Sequence, residues 1–169
     1  FAGKECQDLP PKIPIKREIV FPKETWVYYD KLIEELKRAE GNFTLVDNVY
    51  LRMRQLTAGF LGFKDSEKEA HEVVFKDNPK LDALVSDIHA APFDSQLIVF
   101  NDYVKTGEII CERLKKEKIK HVRLYGATKD KNGVIEKFKT DPSVRVLVLN
   151  SDSGALGLNL QNANYIMFY

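Results

Sequence analysis

The apolar positions of this chain change their period partway along it. Over residues 23–39, Trp26, Tyr29, Leu32, Ile33 and Leu36 recur at intervals of three and four, which places them on one face of a helix, and Gly41-Asn42 ends it. Residues 46–60 repeat that spacing with Val49, Tyr50, Met53, Leu56 and Phe60. Ahead of both, LPPKIP (9–14) predicts an extended lead-in, because its prolines lack backbone donors, and residues 15–21 alternate as an edge strand does. A polar stretch, 64–72, leads into the short apolar run 73–75. Asn78-Pro79 then has the form of a helix start, with Asn as cap and Pro in the first turn, and Leu81, Leu84, Val85 and Ile88 supply the buried face.

From residue 96 onward the pattern is different. LIVF (97–100) is short, uniformly apolar and rich in β-formers, and a helix pattern through Ile109, Ile110 and Leu114 follows it. The unit repeats: HVRLYG (121–126) predicts a strand, 133–139 a helix, VRVLVLN (144–150) a strand and NYIMFY (164–169) another. Continuous apolar strands alternating with helices predict a parallel sheet covered on both faces. Such sheets bind ligands at the loops beyond the carboxyl ends of their strands, here 101–105, 126–129 and 150–157, all built of small or polar residues. Gripping a nucleic-acid backbone takes exposed N–H groups and short hydroxyl or amide side chains. Asn101, Gly126, Thr128, Ser151, Ser153 and Gly154 are of that kind. Small residues after a strand also serve as plain turn formers, so no single loop decides the matter.

Composition narrows the class without choosing a function. With 44% apolar and 30% charged residues, the chain is an ordinary globular protein of about one domain. No apolar run approaches the roughly 20 residues that span a bilayer, and the first residues lack a signal peptide's apolar centre, so a cytoplasmic protein, or a piece cut from something larger, is expected. Cys6 and Cys111 are far apart and the three histidines form no ligand spacing, so no metal is expected from them. Net charge is +1 but uneven: residues 1–99 carry 14 Lys/Arg against 17 Asp/Glu, and residues 100–169 carry 12 against 8. The second half is mildly basic, which permits an anionic partner.

Taken together, the three loops resemble a known series. QLIVFNDY (96–103) resembles motif IV, RLYGAT (123–128) with Ile135 and Phe138 the next motif, and NSDSGALGLNL (150–160) motif V of the second RecA-like lobe of superfamily 2 helicases. The likeness is strongest to Snf2-type ATP-dependent DNA translocases. LPPK (9–12), YYDKL (28–32), LRMRQL (51–56) and NPKLDAL (78–84) follow that family's order between its two lobes, so nearly the whole chain is covered.

The resemblance implies a RecA-like α/β lobe over residues 92–169, incomplete at its C-terminus, preceded by a mostly helical extension over 1–91. It implies that Ser151, Ser153 and Gly154, with Asn101, Gly126 and Thr128, contact a nucleic-acid backbone, with double-stranded DNA the expected partner. Gly157, Leu158 and Asn159 are then expected beside ATP at the lobe interface, where one loop meets both ligands. Departures exist: Asn150 stands in place of a usual serine, Asp152 of a lysine, Gly154-Ala155 of paired glycines, and Lys131 of an arginine. An acidic side chain near a phosphate is repulsive, and a lysine keeps charge while losing bidentate geometry.

No GxxxxGK[ST] loop or acidic magnesium motif occurs in the 169 residues. The expectation is therefore half of an ATPase, which needs the first RecA-like lobe as partner, supplying ATP and Mg contacts, and which does not hydrolyse ATP alone. Its expected location is the cytoplasm, or the nucleus or nucleoid for a chromatin-acting parent. Two other classes stay open: an ATP-independent helicase-like interaction module, and another nucleotide-binding α/β enzyme using SGALG as a glycine turn. Among single residues, Trp26, Tyr28 and Tyr29 are expected in a core, 113–120 as a solvated helix end, Cys111 as buried and inert, and His121 as a strand start. Arg52 and Arg54 are either groove-facing or plain surface charge.

Overall fold

The computed structural model describes residues 13–38, 43–64, 70–154 and 158–169. The first two helical patterns form helices α1 (Lys23–Arg38) and α2 (Phe43–Thr57), which bury Leu32, Val49 and Leu56 together with Phe75. Tyr28 and Tyr29 pack against this cluster. Trp26, expected inside, is 48% exposed and rests edge-on against Tyr29 at 5.4 Å. Its neighbour Thr25 is buried instead, in line with Leu32, so periodicity placed Trp26 on the right helix but one step off the buried stripe. The lead-in 13–22 forms no strand. Ile13 and Ile15 are exposed, and the segment is tied to a helix far along the chain, Pro79–Ala90, through Arg17, whose guanidinium donates to both carboxylate oxygens of Asp87 at 3.0 and 2.6 Å. The expected helix end at Gly41-Asn42 and LPPK (9–12) lie outside the described residues.

Phe60, read from its spacing as the end of a helix, instead opens strand β1 (Phe60–Lys64), which pairs antiparallel with β2 (Ala70–Val74). The break falls at Gly59, whose φ of +94° no L side chain adopts comfortably and whose added Cβ would meet Asn78 Nδ2 at 2.1 Å. Asn78 caps helix α3 (Pro79–Ala90) as expected, accepting from the Leu81 amide at 3.0 Å.

Strands β3 (Leu97–Asn101), β4 (His121–Leu124), β5 (Val146–Asn150) and β6 (Tyr165–Phe168) form one parallel sheet in the order β4-β5-β3-β6. Helices α4 (Val104–Lys116) and α5 (Lys131–Thr140) connect its first three strands. The lack of alternation in β3 and β5 has a direct cause. Leu97, Val99, Val146 and Val148 pack under α3 and α4, while Ile98, Leu147 and Leu149 point the other way and pack with Phe138 of α5. Burying side chains on both faces contributes roughly 1.5–3 kcal/mol for each large one, before the entropy of ordering is subtracted.

Two polar side chains lock the strand starts. Gln96 Nε2 donates to the carbonyls of Phe138 and Val144 at 2.7 and 2.8 Å, and its Oε1 accepts from Asn162 Nδ2 at 2.6 Å. Arg145 Nη2 donates to the carbonyls of Ile88 and Ala91 at 2.7 and 2.6 Å, so the start of β5 caps the C-terminus of α3.

Candidate nucleic-acid interface

Because β3, β4 and β5 run parallel, their carboxyl ends share one rim of the sheet. Asn101 and Asn150 are register partners at that rim, and both are buried, at 1% and 6% exposure. The Asn101 amide was expected to be exposed. It turns inward instead, towards β5, where its Nδ2 donates to the Leu149 carbonyl at 3.2 Å. The side-chain oxygens of Asn101 and Asn150 are buried without a hydrogen-bond partner. What Asn101 offers a ligand is therefore the position of the chain that follows it.

That chain carries Asp102, the hub of the rim. Ser151 Oγ donates to Asp102 Oδ1 at 2.9 Å and also lies 3.3 Å from the Asn101 carbonyl. The other Asp102 oxygen accepts from Arg54 Nη2 of α2 at 2.5 Å. The end of β5, the loop after β3 and helix α2 are thus joined through one carboxylate. A hydroxyl has a single proton to give, so in this arrangement Ser151 presents lone pairs to solvent, and donating to an incoming anion requires it to leave Asp102.

At the end of β4 the backbone makes a tight turn. Thr128 N–H donates to the Tyr125 carbonyl at 3.0 Å, and the Tyr125 N–H donates to Thr128 Oγ1 at 3.0 Å. Gly126 sits at the exposed crest, with no atom within 4 Å of where a Cβ would stand, so its backbone is open to close approach. Asp130 then caps α5 by accepting from the Gly133 amide at 2.7 Å. Lys129 and Lys131 on either side are exposed and enter no ion pair among the described residues.

Ser153 and Gly154 belong to a single helical turn, α6 (Ser151–Gly154), directly after β5. Gly157 lies outside the described residues. Leu158 packs against the α5-side core cluster, and Asn159 is exposed. The rim therefore gathers Asn101, Ser151, Ser153 and Gly154 at adjacent strand ends, with Gly126 and Thr128 at the neighbouring strand. Among the described residues no group of three His, Cys, Asp or Glu side chains is placed to hold a metal.

Sequence reasoning passed over Asp102 as a site residue and left Arg54 undecided. Asp102 stands in the quoted QLIVFNDY, but only the fold shows that its two oxygens face two different elements.

Comparisons with known proteins bear on the same region. Residues 79–169 match the family described as helicase conserved C-terminal domain. A stretch of 74 residues, 43% of the chain, is 38% identical to Helicase SWR1 of Eremothecium gossypii, and it spans only 5% of that relative's length. Among solved structures, the C-terminal part of the Fun30 ATPase domain matches 54% of this chain and 31% of its own, at 26% identity and a TM-score of 0.52. The Sulfolobus solfataricus SWI2/SNF2 ATPase core in complex with dsDNA shares the fold over 86% of this chain and 32% of its own, with a TM-score of 0.66 and 22% identity.

Proposed function

The chain belongs to the helicase conserved C-terminal domain family, as a second RecA-like lobe with Snf2-like relatives, and from that membership we propose that it grips duplex DNA for an ATP-driven translocase. The observation that carries the reading is the coincidence of two facts. The family match runs from residue 79 through 169, and the rim of strand ends inside it presents an open glycine crest, a hydroxyl-bearing strand end and two lysines that enter no ion pair among the described residues.

In this reading Gly126, Thr128, Ser151, Ser153 and Gly154 meet the phosphates of one strand through backbone amides and short side chains, and Asn101 fixes the loop that carries Asp102. Such contacts carry little sequence information, which suits a motor that moves along any duplex. Gly157, Leu158 and Asn159 face a nucleotide held between this lobe and a first lobe. The family's use of nucleotide and Mg is a property of the complete protein, and the metal ligands are assigned to that other lobe. Bound there, the nucleotide would supply the free energy of phosphoryl transfer to water, and this chain would meet only its edge, through Leu158 and Asn159. The part of this chain is to hold DNA on one side of a loop and the nucleotide edge on the other, so that the two occupancies bias one another. The residue ranges 1–91 and 92–169 are proposed as the extension and the lobe proper. A duplex partner puts the complete protein in the nucleus or nucleoid.

The test is binding of the 169-residue chain to a short mixed-sequence duplex at several salt concentrations. Each neutralised phosphate contributes a slope of about −0.9 in log K against log salt, so three to five contacts predict a slope of about −2.7 to −4.5 with little sequence preference. An undetectable affinity at low salt, or one indifferent to salt, would remove the DNA-gripping role. The relative solved with dsDNA supports the choice of duplex over single strand.

A further inference from the structure

Beside the rim, α2, α3, the start of α4 and Tyr169 enclose a cavity of about 100 Å3 lined by Arg54, Lys80, Asp102, Tyr103, Thr106 and Tyr169. That volume holds about three waters, or one tetrahedral oxyanion, and is too small for a nucleotide. Four features of its wall point the same way. Lys80 enters no ion pair among the described residues, its ammonium lies 4.6 Å from the centre of the Tyr169 ring, and burial pushes its pKa down, a shift that the charge of Asp102 opposes. Thr106 is 1% exposed and its hydroxyl has no partner, and the buried hydroxyl of Tyr103 has none either. Tyr103 is also the N-cap of α4 and makes no side-chain capping bond, so the first-turn amides of a 13-residue helix lack a side-chain acceptor here. The single carboxylate of Asp102 is shared between Arg54, at 2.5 Å, and the field at Lys80, so the wall keeps one positive charge in excess.

Waters would satisfy the two hydroxyls. They would not supply the counter-charge that a partly buried ammonium needs. We propose that this cavity is a site for one phosphate-type oxyanion, bound by the Lys80 ammonium, the Thr106 and Tyr103 hydroxyls and the first-turn amides of α4. The ligand joins three helices at the place where Asp102 links them to Ser151, so its occupancy stiffens the rim. The site goes beyond the DNA-gripping reading and does not depend on it, since the group that fits is a single phosphate, free or carried on a polymer.

The experiment titrates inorganic phosphate into the 169-residue chain in chloride buffer at constant ionic strength, followed by calorimetry. One saturable site is expected, weakened about tenfold or more in Lys80→Met and measurably in Thr106→Val, the size expected for losing a charge-assisted or a neutral hydrogen bond respectively. Thr106→Val keeps the side chain's shape, and circular dichroism of both variants confirms that the fold is retained. Absence of saturation, or wild-type affinity in both variants, overturns the proposal and leaves duplex binding untouched. Adding a short duplex to the phosphate-loaded chain then separates the sources: displacement assigns the site to a backbone phosphate, and a ternary complex assigns it to a free oxyanion.

Discussion

Cys111 shows how far a single side chain is readable from sequence. It stands in IICERL, where an apolar neighbourhood predicts an inert thiol, and in the fold it packs against the α3–α4 side of the core, where burial pushes its pKa up to about 11. A thiol whose folded pKa is raised holds its proton after the unfolded chain has released its own. Its contribution to stability is therefore complete below about pH 9 and is lost as pH rises from there to about 11. Urea midpoints measured across that interval should fall more steeply for the wild type than for Cys111→Ala. Equal slopes would mean that the thiol ionises as freely folded as unfolded. Asn101 is the opposite case: its residue type was legible as a candidate, but its direction was not, because the amide's partner is a carbonyl of β5, 48 residues further along the chain.

At the scale of elements, the strands and helices from residue 78 onward follow the sequence closely, since each is a strong periodic run ended by a turn or a cap. The pairing of β1 with β2 was not legible. Phe60 continues the helical spacing of α2, and only the positive φ at Gly59 converts that spacing into a strand start. The capping of α3 by Arg145 was equally hidden, because it joins residues 54 and 57 positions apart. Arg145→Met removes the charged donor while keeping an apolar stem, and it leaves the Ile88 and Ala91 carbonyls to find water. A loss of about 1.5–3 kcal/mol is expected, read from chemical denaturation monitored by far-UV circular dichroism. An unchanged midpoint would show that those carbonyls are hydrated without cost.

For the molecule as a whole, the candidate site was legible as a set of loops and not as a network. The order of three small-residue loops marked the rim, whereas the carboxylate that ties it to α2 needed coordinates to be seen. On the proposed function, that network gives a prediction for the complete protein. Ser151→Ala takes away the hydroxyl that joins the end of β5 to Asp102 and leaves the Asp102–Arg54 pair in place. DNA stimulation of ATP turnover should fall by about tenfold, the worth of roughly 1.4 kcal/mol of coupling, while the basal rate and the melting temperature stay near wild type. Wild-type stimulation would exclude Ser151 from the coupling path.

The strand order has a consequence for how the protein is made. β3 sits between β5 and β6, so both of its neighbours leave the ribosome after it does. While residues 102–145 are being synthesised, both edges of that apolar strand are unpaired, and among the described residues upstream the α1–α2 pair and the β1–β2 hairpin can close early. The interval of greatest vulnerability to aggregation is therefore set by translation speed across α4, β4 and α5, and slow decoding there prolongs it.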